Sequence, residues 1–153
     1  MSHAAAKPDP ALPLRLSLLS DPATLSPVRR AVEAMCVAHG FAPAAVQDVG
    51  LCVNEALANV IRHAYAGETG RPIEVEAGVV DGLFRIEIRD FGTGVAPKLP
   101  PPPKDPTRPG GLGLVCLVRL MDTVKFEPQP DGMRLTMTRG RSVSPSSNVP
   151  VAE

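Results

Sequence analysis

The chain of 153 residues has no tryptophan, one tyrosine and four phenylalanines, and its sixteen basic residues are balanced by sixteen acidic ones. So few aromatic residues argue against a surface on which single-stranded nucleic acid stacks, and the neutral balance argues against non-specific nucleic-acid binding. No apolar run approaches the roughly 18 residues that a membrane-spanning helix needs. We therefore expect neither a direct nucleic-acid partner nor a membrane partner.

Cysteine is also scarce, because the chain has only Cys36, Cys52 and Cys116, an odd number at wide spacing. Each lies among apolar neighbours, which predicts reduced thiols in the core and no zinc site. Residues 1–10 lack the apolar stretch of a signal peptide. Together these features predict a cytoplasmic protein.

Proline, by contrast, is abundant, and it marks the segments outside the regular fold. Residues 1–11 and 142–153 are small, polar and rich in proline or serine, which predicts disordered tails. Residues 12–141 are long enough to form one domain with a real core. Within that domain, residues 96–109 contain seven prolines, so we expect a long loop of the kind that serves as a lid or binding loop.

Apolar periodicity and turn residues predict the elements around this loop. Ser26-Pro27 is expected to cap and begin the first helix, and Gly40 to end it. The predicted order is a strand near 12–18, helices at 27–39 and 43–66, a hairpin with strands near 73–77 and 84–88, the loop, a helix ending near Met121, and a hairpin with strands near 124–126 and 133–138. Helices grouped against a mostly antiparallel sheet predict an α+β fold, a two-layer sandwich.

The second predicted helix carries the residues that first suggest chemistry. On a helical wheel, Glu55, Asn59 and His63 form a column beside the apolar stripe, where the edge of a pocket would lie. Any amphipathic helix has polar flanks, so the column alone is weakly specific. An asparagine oxygen nevertheless suits a Mg²⁺ ion that takes its other ligands from phosphates and water, and a glutamate one turn earlier could accept a proton.

Two glycine clusters follow. Asp90-Phe91-Gly92-Thr93-Gly94 comes directly after a predicted strand, where a carboxylate could accept a hydrogen bond from the amine of adenine, although an ordinary tight turn would look the same. Gly110-Gly111-Leu112-Gly113-Leu114 precedes a predicted helix, whose free N–H groups could bind phosphate. This second cluster is neither a Rossmann nor a Walker A motif, because no strand precedes it directly and no Gly-Lys-Ser/Thr follows.

In this order and spacing, Asn54-Glu55-Ala56-Leu57-Ala58-Asn59 and the two glycine clusters resemble the N, G1 and G2 boxes of the GHKL ATPase superfamily, whose ATP-binding domain is the Bergerat fold. Residues 53–65 and the hairpin at Asp131-Gly132 are especially similar to the bacterial anti-sigma factor serine kinases and related anti-sigma regulatory factors. The resemblance covers about residues 12–140.

The resemblance implies a role for each matching residue. Asn59 would coordinate a Mg²⁺ ion that bridges the phosphates of ATP, and Glu55 would be the general base. Asp90 would bind the adenine amine, with Gly92 and Gly94 shaping that end of the pocket.

The remaining implied residues lie in and after the Pro-rich loop. Residues 95–109 would be the ATP lid, and we infer that Arg108 reaches the γ-phosphate when this lid closes. The residues that would hold the phosphates are Gly110, Gly111, Leu112, Gly113 and Leu114.

For function, the resemblance implies an ATP-dependent protein serine kinase that phosphorylates an anti-sigma factor antagonist and sequesters a sigma factor as a homodimer. The first helix, with Arg29, Arg30 and Glu33, would contribute to those contacts, although a solvated charged face has the same composition. The alternative is an ATP-binding partner-switching regulator with little or no kinase activity. We do not expect a histidine-kinase catalytic domain, which would accompany a helix pair with a phospho-accepting histidine.

Overall fold

In the computed structural model, residues 9–97 and 113–141 are described, and they form three α-helices on one face of a five-stranded sheet. The strands are β1 Leu14–Leu19, β2 Pro72–Val80, β3 Leu83–Asp90, β4 Thr123–Gln129 and β5 Gly132–Arg139. The helices are α1 Leu25–Ala38, α2 Pro43–Asn59 and α3 Gly113–Leu120. This architecture confirms the predicted α+β class. The predicted tails, 1–11 and 142–153, lie outside the described residues except for residues 9–11.

The sheet order is β1-β2-β3-β5-β4, and every neighbouring pair is antiparallel. The β2–β3 hairpin turns at Asp81 and Gly82, whose φ values of 53° and 79° are both positive, as a two-residue turn of type I′ requires. The two hairpins meet through β3 and β5, which places Asp90 opposite Met133. The end of β3 therefore lies in the interior of the sheet.

The two faces of the sheet differ in chemistry. The inner face packs against the helices through buried residues that include Ile73, Val75, Phe84, Ile86, Ile88 and Met137. On the outer face one cross-strand row consists of Arg15, Glu76, Glu87, Thr136 and Lys125. The core of the described part of the chain therefore lies between the sheet and the helices.

The first helix begins before its predicted start. Asp21 supplies the side-chain cap, because its Oδ1 accepts a hydrogen bond from the Ala23 N–H at 2.9 Å in a 3₁₀ turn that leads into α1. Ser26 is the second residue of α1 and accepts a hydrogen bond from Arg30 instead, so its prediction as the cap is wrong. Pro27 is tolerated there because N–H groups in a first helical turn have no helical acceptor. The predicted end is confirmed, since α1 stops at Ala38.

The second helix changes geometry at the position where the candidate site lies. Its α-helical part ends at Asn59, and a π turn follows over Val60–Ala64, in which the Tyr65 N–H donates to the Val60 carbonyl at 3.0 Å. The helix predicted at 43–66 is therefore confirmed as far as Ala64, but its last turn is π rather than α. Single π turns within helices are rare and occur frequently at functional sites.

Two contacts fix α2 relative to its neighbours. Gly50 lets α1 approach closely, because a Cβ atom there would collide with the Glu33 side chain. Arg139, buried at the end of β5, forms a salt bridge to Asp48 with an Nη2–Oδ2 distance of 3.0 Å. No helix among the described residues is long and apolar enough to cross a membrane.

Candidate functional site

A cavity of about 410 Å³ lies between the end of α2, the end of β3, the start of β5 and the start of α3. Its volume falls within the roughly 300–1,000 Å³ that is usual for small-molecule sites. Its apolar wall includes Val60, Ile88, Phe126, Met133 and Leu135, and its polar lining is Asn59, His63, Asp90 and Thr93. Apolar walls with a few fixed polar groups suit a flat heteroaromatic ligand.

Asp90 supplies the carboxyl group of this cavity. The residue is only 5% exposed, and its Oδ1 accepts a hydrogen bond from the Gly92 N–H at 3.0 Å. Burial raises the pKa of the Asp90 carboxyl, while the hydrogen bond from Gly92, the nearby Arg89 and the Met133 N–H act in the opposite direction. A buried carboxylate is a strong acceptor, which matches the donor that an exocyclic amine presents.

The loop after Asp90 is held by residues outside the cavity lining. The Tyr65 hydroxyl accepts a hydrogen bond from the Phe91 N–H at 2.8 Å and donates one to the Pro72 carbonyl at 2.5 Å. Arg71 donates to the Phe91 carbonyl at 3.1 Å. No local sequence pattern indicates these roles for Tyr65 and Arg71, because both bind the backbone of Phe91, 26 and 20 residues away along the chain.

The glycines of the loop meet two different geometric requirements. A Cβ atom at Gly92 would lie 2.5 Å from the Ala64 carbonyl oxygen, so only glycine lets the loop approach the π turn this closely. Gly94 has a φ of 72°, in the left-handed region that favours glycine, and it lines the cavity. Asp90 and Gly94 thus both line the cavity, and Gly92 lies against Ala64 of the π turn.

Of the predicted column of Glu55, Asn59 and His63, only two residues line the cavity. Asn59, the last residue of α2, lines the cavity together with His63 from the π turn. Glu55 is half-buried one turn earlier and is not among the lining residues. The described part of the site therefore contains the predicted metal ligand but not the predicted general base.

Some of the remaining predicted site residues lie in the described part of the chain, and the others lie outside it. Leu114, in the first turn of α3, lines the cavity, and Gly113 is the first residue of that helix. Residues 95–97, the start of the predicted lid, also line it. The other predicted residues of this region, Arg108, Gly110, Gly111 and Leu112, lie outside the described residues.

The residues present fit a metal that arrives with its ligand rather than a metal held by the protein alone. Among the described residues no group of three or more His, Cys, Asp or Glu side chains could hold an ion. The side-chain oxygen of Asn59 at the cavity wall is one hard ligand. Mg²⁺ is commonly bound in this way, through one or two protein oxygens together with substrate phosphates and water.

Comparison with known proteins gives consistent matches along the chain. The model of the histidine kinase-like ATPase domain matches residues 18–139. The chain is 28% identical over 135 residues to the serine-protein kinase RsbW of Listeria innocua serovar 6a, an alignment that covers 82% of this chain and 85% of the relative. It is 25% identical over 135 residues to the RsbW of Bacillus velezensis, with 82% and 84% covered.

A solved structure shares the fold. The crystal structure of the RsbU and RsbW domains of a Mycobacterium tuberculosis protein matches with a TM-score of 0.65 and 20% sequence identity. The match covers 86% of this chain and 32% of that chain.

Proposed function

The chain belongs to the family of histidine kinase-like ATPase domains, and on that premise we propose that it is an ATP-dependent protein serine kinase with anti-sigma activity. The observation that carries the proposal is the position of Asp90, buried at one end of an apolar cavity that has Asn59 in its wall. The two relatives named serine-protein kinase support the choice of serine as acceptor.

The end of the cavity near β3 is proposed to bind the adenine ring. The Asp90 carboxylate accepts a hydrogen bond from the adenine amine, and apolar side chains such as Ile88 and Leu135 cover the faces of the ring. Gly94 brings the backbone close to the base because no side chain intervenes. These contacts select a base with an amine donor.

The end near α2 and α3 is proposed to hold the phosphates. Asn59 would hold Mg²⁺ together with the phosphates, the amides of residues 110–114 would bind phosphate oxygens, and Arg108 would reach the γ-phosphate. ATP with Mg²⁺ supplies the phosphoryl group, and Glu55 accepts the proton of the attacking serine hydroxyl. Catalysis of phosphoryl transfer requires mainly that the protein position the reactants and neutralise the charge of the phosphates, and these groups would do both.

The proposed partners follow from the same family relationship. The serine acceptor is a small anti-sigma factor antagonist in the cytoplasm, and a homodimer of the chain sequesters a sigma factor. Arg29 and Arg30 on α1 offer exposed or half-exposed basic side chains for such contacts.

One observation favours a second candidate, an ATP-binding partner-switching regulator with little kinase activity. Glu55 does not line the cavity in the described part of the chain. A base that does not approach the phosphates would leave nucleotide binding intact and phosphoryl transfer slow.

The test uses the purified chain, Mg²⁺ and ATP. Calorimetry should show nucleotide binding by the wild type, loss of binding in Asp90→Asn and little change in Glu55→Gln. Labelled ATP and candidate antagonist proteins from the same genome should then give a labelled serine with the wild type and none with Glu55→Gln. Glu74→Gln is the matched control, because Glu74 lies on the outer sheet face, away from the cavity.

The outcomes separate the candidates. Transfer that depends on Glu55 supports the kinase. Binding that depends on Asp90, without transfer to any candidate, supports the regulator. A wild type that binds no nucleotide contradicts both.

A further inference from the structure

Tyr65 is buried and polar, and it occupies an unusual position directly after the π turn. Only 2% of the residue is exposed, and it does not line the cavity. Its hydroxyl joins two backbone segments, because it accepts from the Phe91 N–H and donates to the Pro72 carbonyl. Phe91 is the residue between Asp90 and Gly92, so the hydroxyl acts on the loop that presents the base-binding carboxyl.

We propose that Tyr65 is a positioning residue for base selection, which fixes the Phe91 peptide and thereby the orientation of the Asp90 carboxyl group. The inference rests on the proposed ATP site and deepens it, since it assigns the residue that keeps the adenine-reading group in place. Tyr65 touches no ligand itself and acts through the loop.

The π turn places Tyr65 where this contact is possible. A π turn contains one more residue than an α turn, so the side chains after it point in directions that a continuous α-helix would not give them. The same turn is pressed against the loop at Ala64, where the Gly92 backbone approaches. The end of the π turn and the loop thus meet at two successive residues, Ala64 and Tyr65.

Arg71 binds the next peptide group of the loop, the one between Phe91 and Gly92. It donates to the Phe91 carbonyl at 3.1 Å, and its guanidinium carbon lies 4.5 Å from the centre of the Tyr65 ring. Both the N–H and the carbonyl of Phe91 therefore have partners in this network. Because the peptide groups on both sides of Phe91 are bound, the backbone rotations that would turn Asp90 away from the cavity are restricted.

The test replaces Tyr65 with phenylalanine, which keeps the ring and removes only the hydroxyl. Loss of a buried hydrogen bond of this kind should weaken ATP binding by about tenfold. Binding of inosine triphosphate, which has a carbonyl in place of the adenine amine, should change much less, because that carbonyl cannot donate a hydrogen bond to the Asp90 carboxylate. The preference for ATP over inosine triphosphate should therefore fall by a similar factor. With a transfer assay, KM for ATP should rise while kcat stays the same.

The matched control for a general loss of stability is Val32→Ala. Val32 is fully buried in α1, and its truncation should lower stability without touching the loop. A destabilised protein loses affinity for both nucleotides equally, so Val32→Ala should keep the wild-type preference for ATP.

A measurement without nucleotide separates this inference from the proposed function. Amide exchange followed by NMR should be faster at Phe91 in Tyr65→Phe than in the wild type or Val32→Ala. Unchanged exchange at Phe91, or an unchanged nucleotide preference in a variant that still binds ATP, would overturn the inference. A wild type that binds neither nucleotide overturns the proposed site, and the exchange at Phe91 still decides whether Tyr65 holds the loop.

Discussion

Asp90 and Arg139 are both charged residues buried at the ends of neighbouring strands, and their surroundings differ. Arg139, 1% exposed, has the Asp48 carboxylate and the Gly140 carbonyl as partners. The Asp90 carboxyl is compensated mainly by backbone N–H groups, and burial still raises its pKa. A buried carboxyl with a perturbed pKa beside a cavity is characteristic of a functional group rather than a stabilising one.

The first prediction concerns Asp90→Asn without ligand. The pKa of the Asp90 carboxyl is raised in the folded protein, so its ionisation lowers the free energy of unfolding. This stability is lost as the pH rises through the pKa of Asp90 in the folded protein. The asparagine variant lacks this loss, so it should be as stable as the wild type at low pH and more stable at neutral pH. Urea unfolding from acidic to neutral pH measures the difference. A variant that is less stable than the wild type at neutral pH would contradict this assignment.

The second prediction concerns the pair of Arg139 and Asp48. Arg139→Met leaves Asp48 without its partner and should lower the free energy of unfolding by about 3 kcal/mol. The double variant Arg139→Met with Asp48→Leu removes both charges and should recover most of that loss. Urea unfolding of the two single variants and the double variant completes the cycle. A double variant whose loss equals the sum of the two single losses would show that the pair is not coupled.

At the scale of elements, turns and periodic strands could be predicted, and the geometry at the site could not. The Asp81-Gly82 hairpin and the end of α1 depend on local backbone chemistry, which neighbouring residues determine. The π turn at Val60–Ala64 and the adjacency of β3 and β5 depend on tertiary packing. For the same reason, sequence motifs indicated Asp90 but not Tyr65, whose partners are distant in sequence.

The third prediction tests the contact between the π turn and the loop. A methyl group at Gly92 would lie 2.5 Å from the Ala64 carbonyl oxygen, so Gly92→Ala must push the loop away from α2. We expect a destabilisation of about 1–3 kcal/mol, together with weaker nucleotide binding in calorimetry.

Gly82→Ala is the matched control for Gly92→Ala. Gly82 has a φ of 79° but no atom within 4 Å of the added Cβ, in a turn at the far end of β3 from Asp90. It should cost about 1 kcal/mol of backbone strain and leave nucleotide affinity unchanged. Equal loss of affinity in both variants would argue against a specific contact at Gly92.

At the scale of the whole molecule, each α-helix of the described chain carries one buried free cysteine. Cys36 lies in α1, Cys52 in α2 and Cys116 in α3, which confirms the prediction of core thiols. Burial, with a smaller contribution from Glu33, raises the pKa of the Cys36 thiol to about 12. A hydrogen bond with Cys116, together with burial, raises the pKa of Cys52. The rate at which each thiol reacts therefore measures how often its helix opens and exposes the thiol to solvent.

The fourth prediction follows from the position of α3, which is the shortest of these helices and lines the cavity through Leu114. All three thiols are buried, so at pH 8 they should react slowly with a thiol reagent in the native protein and rapidly in urea. Cys116 should react before Cys36, because opening a short helix costs less than opening the core. ATP with Mg²⁺ binds across α2 and α3 in the proposed site, so it should slow the reaction of Cys116 more than that of Cys36. Mass spectrometry of partly labelled protein identifies the modified residue. Equal protection of Cys36 and Cys116 by the nucleotide would contradict this prediction, because it would mean that the nucleotide stabilises the whole molecule rather than the α3 side of the cavity.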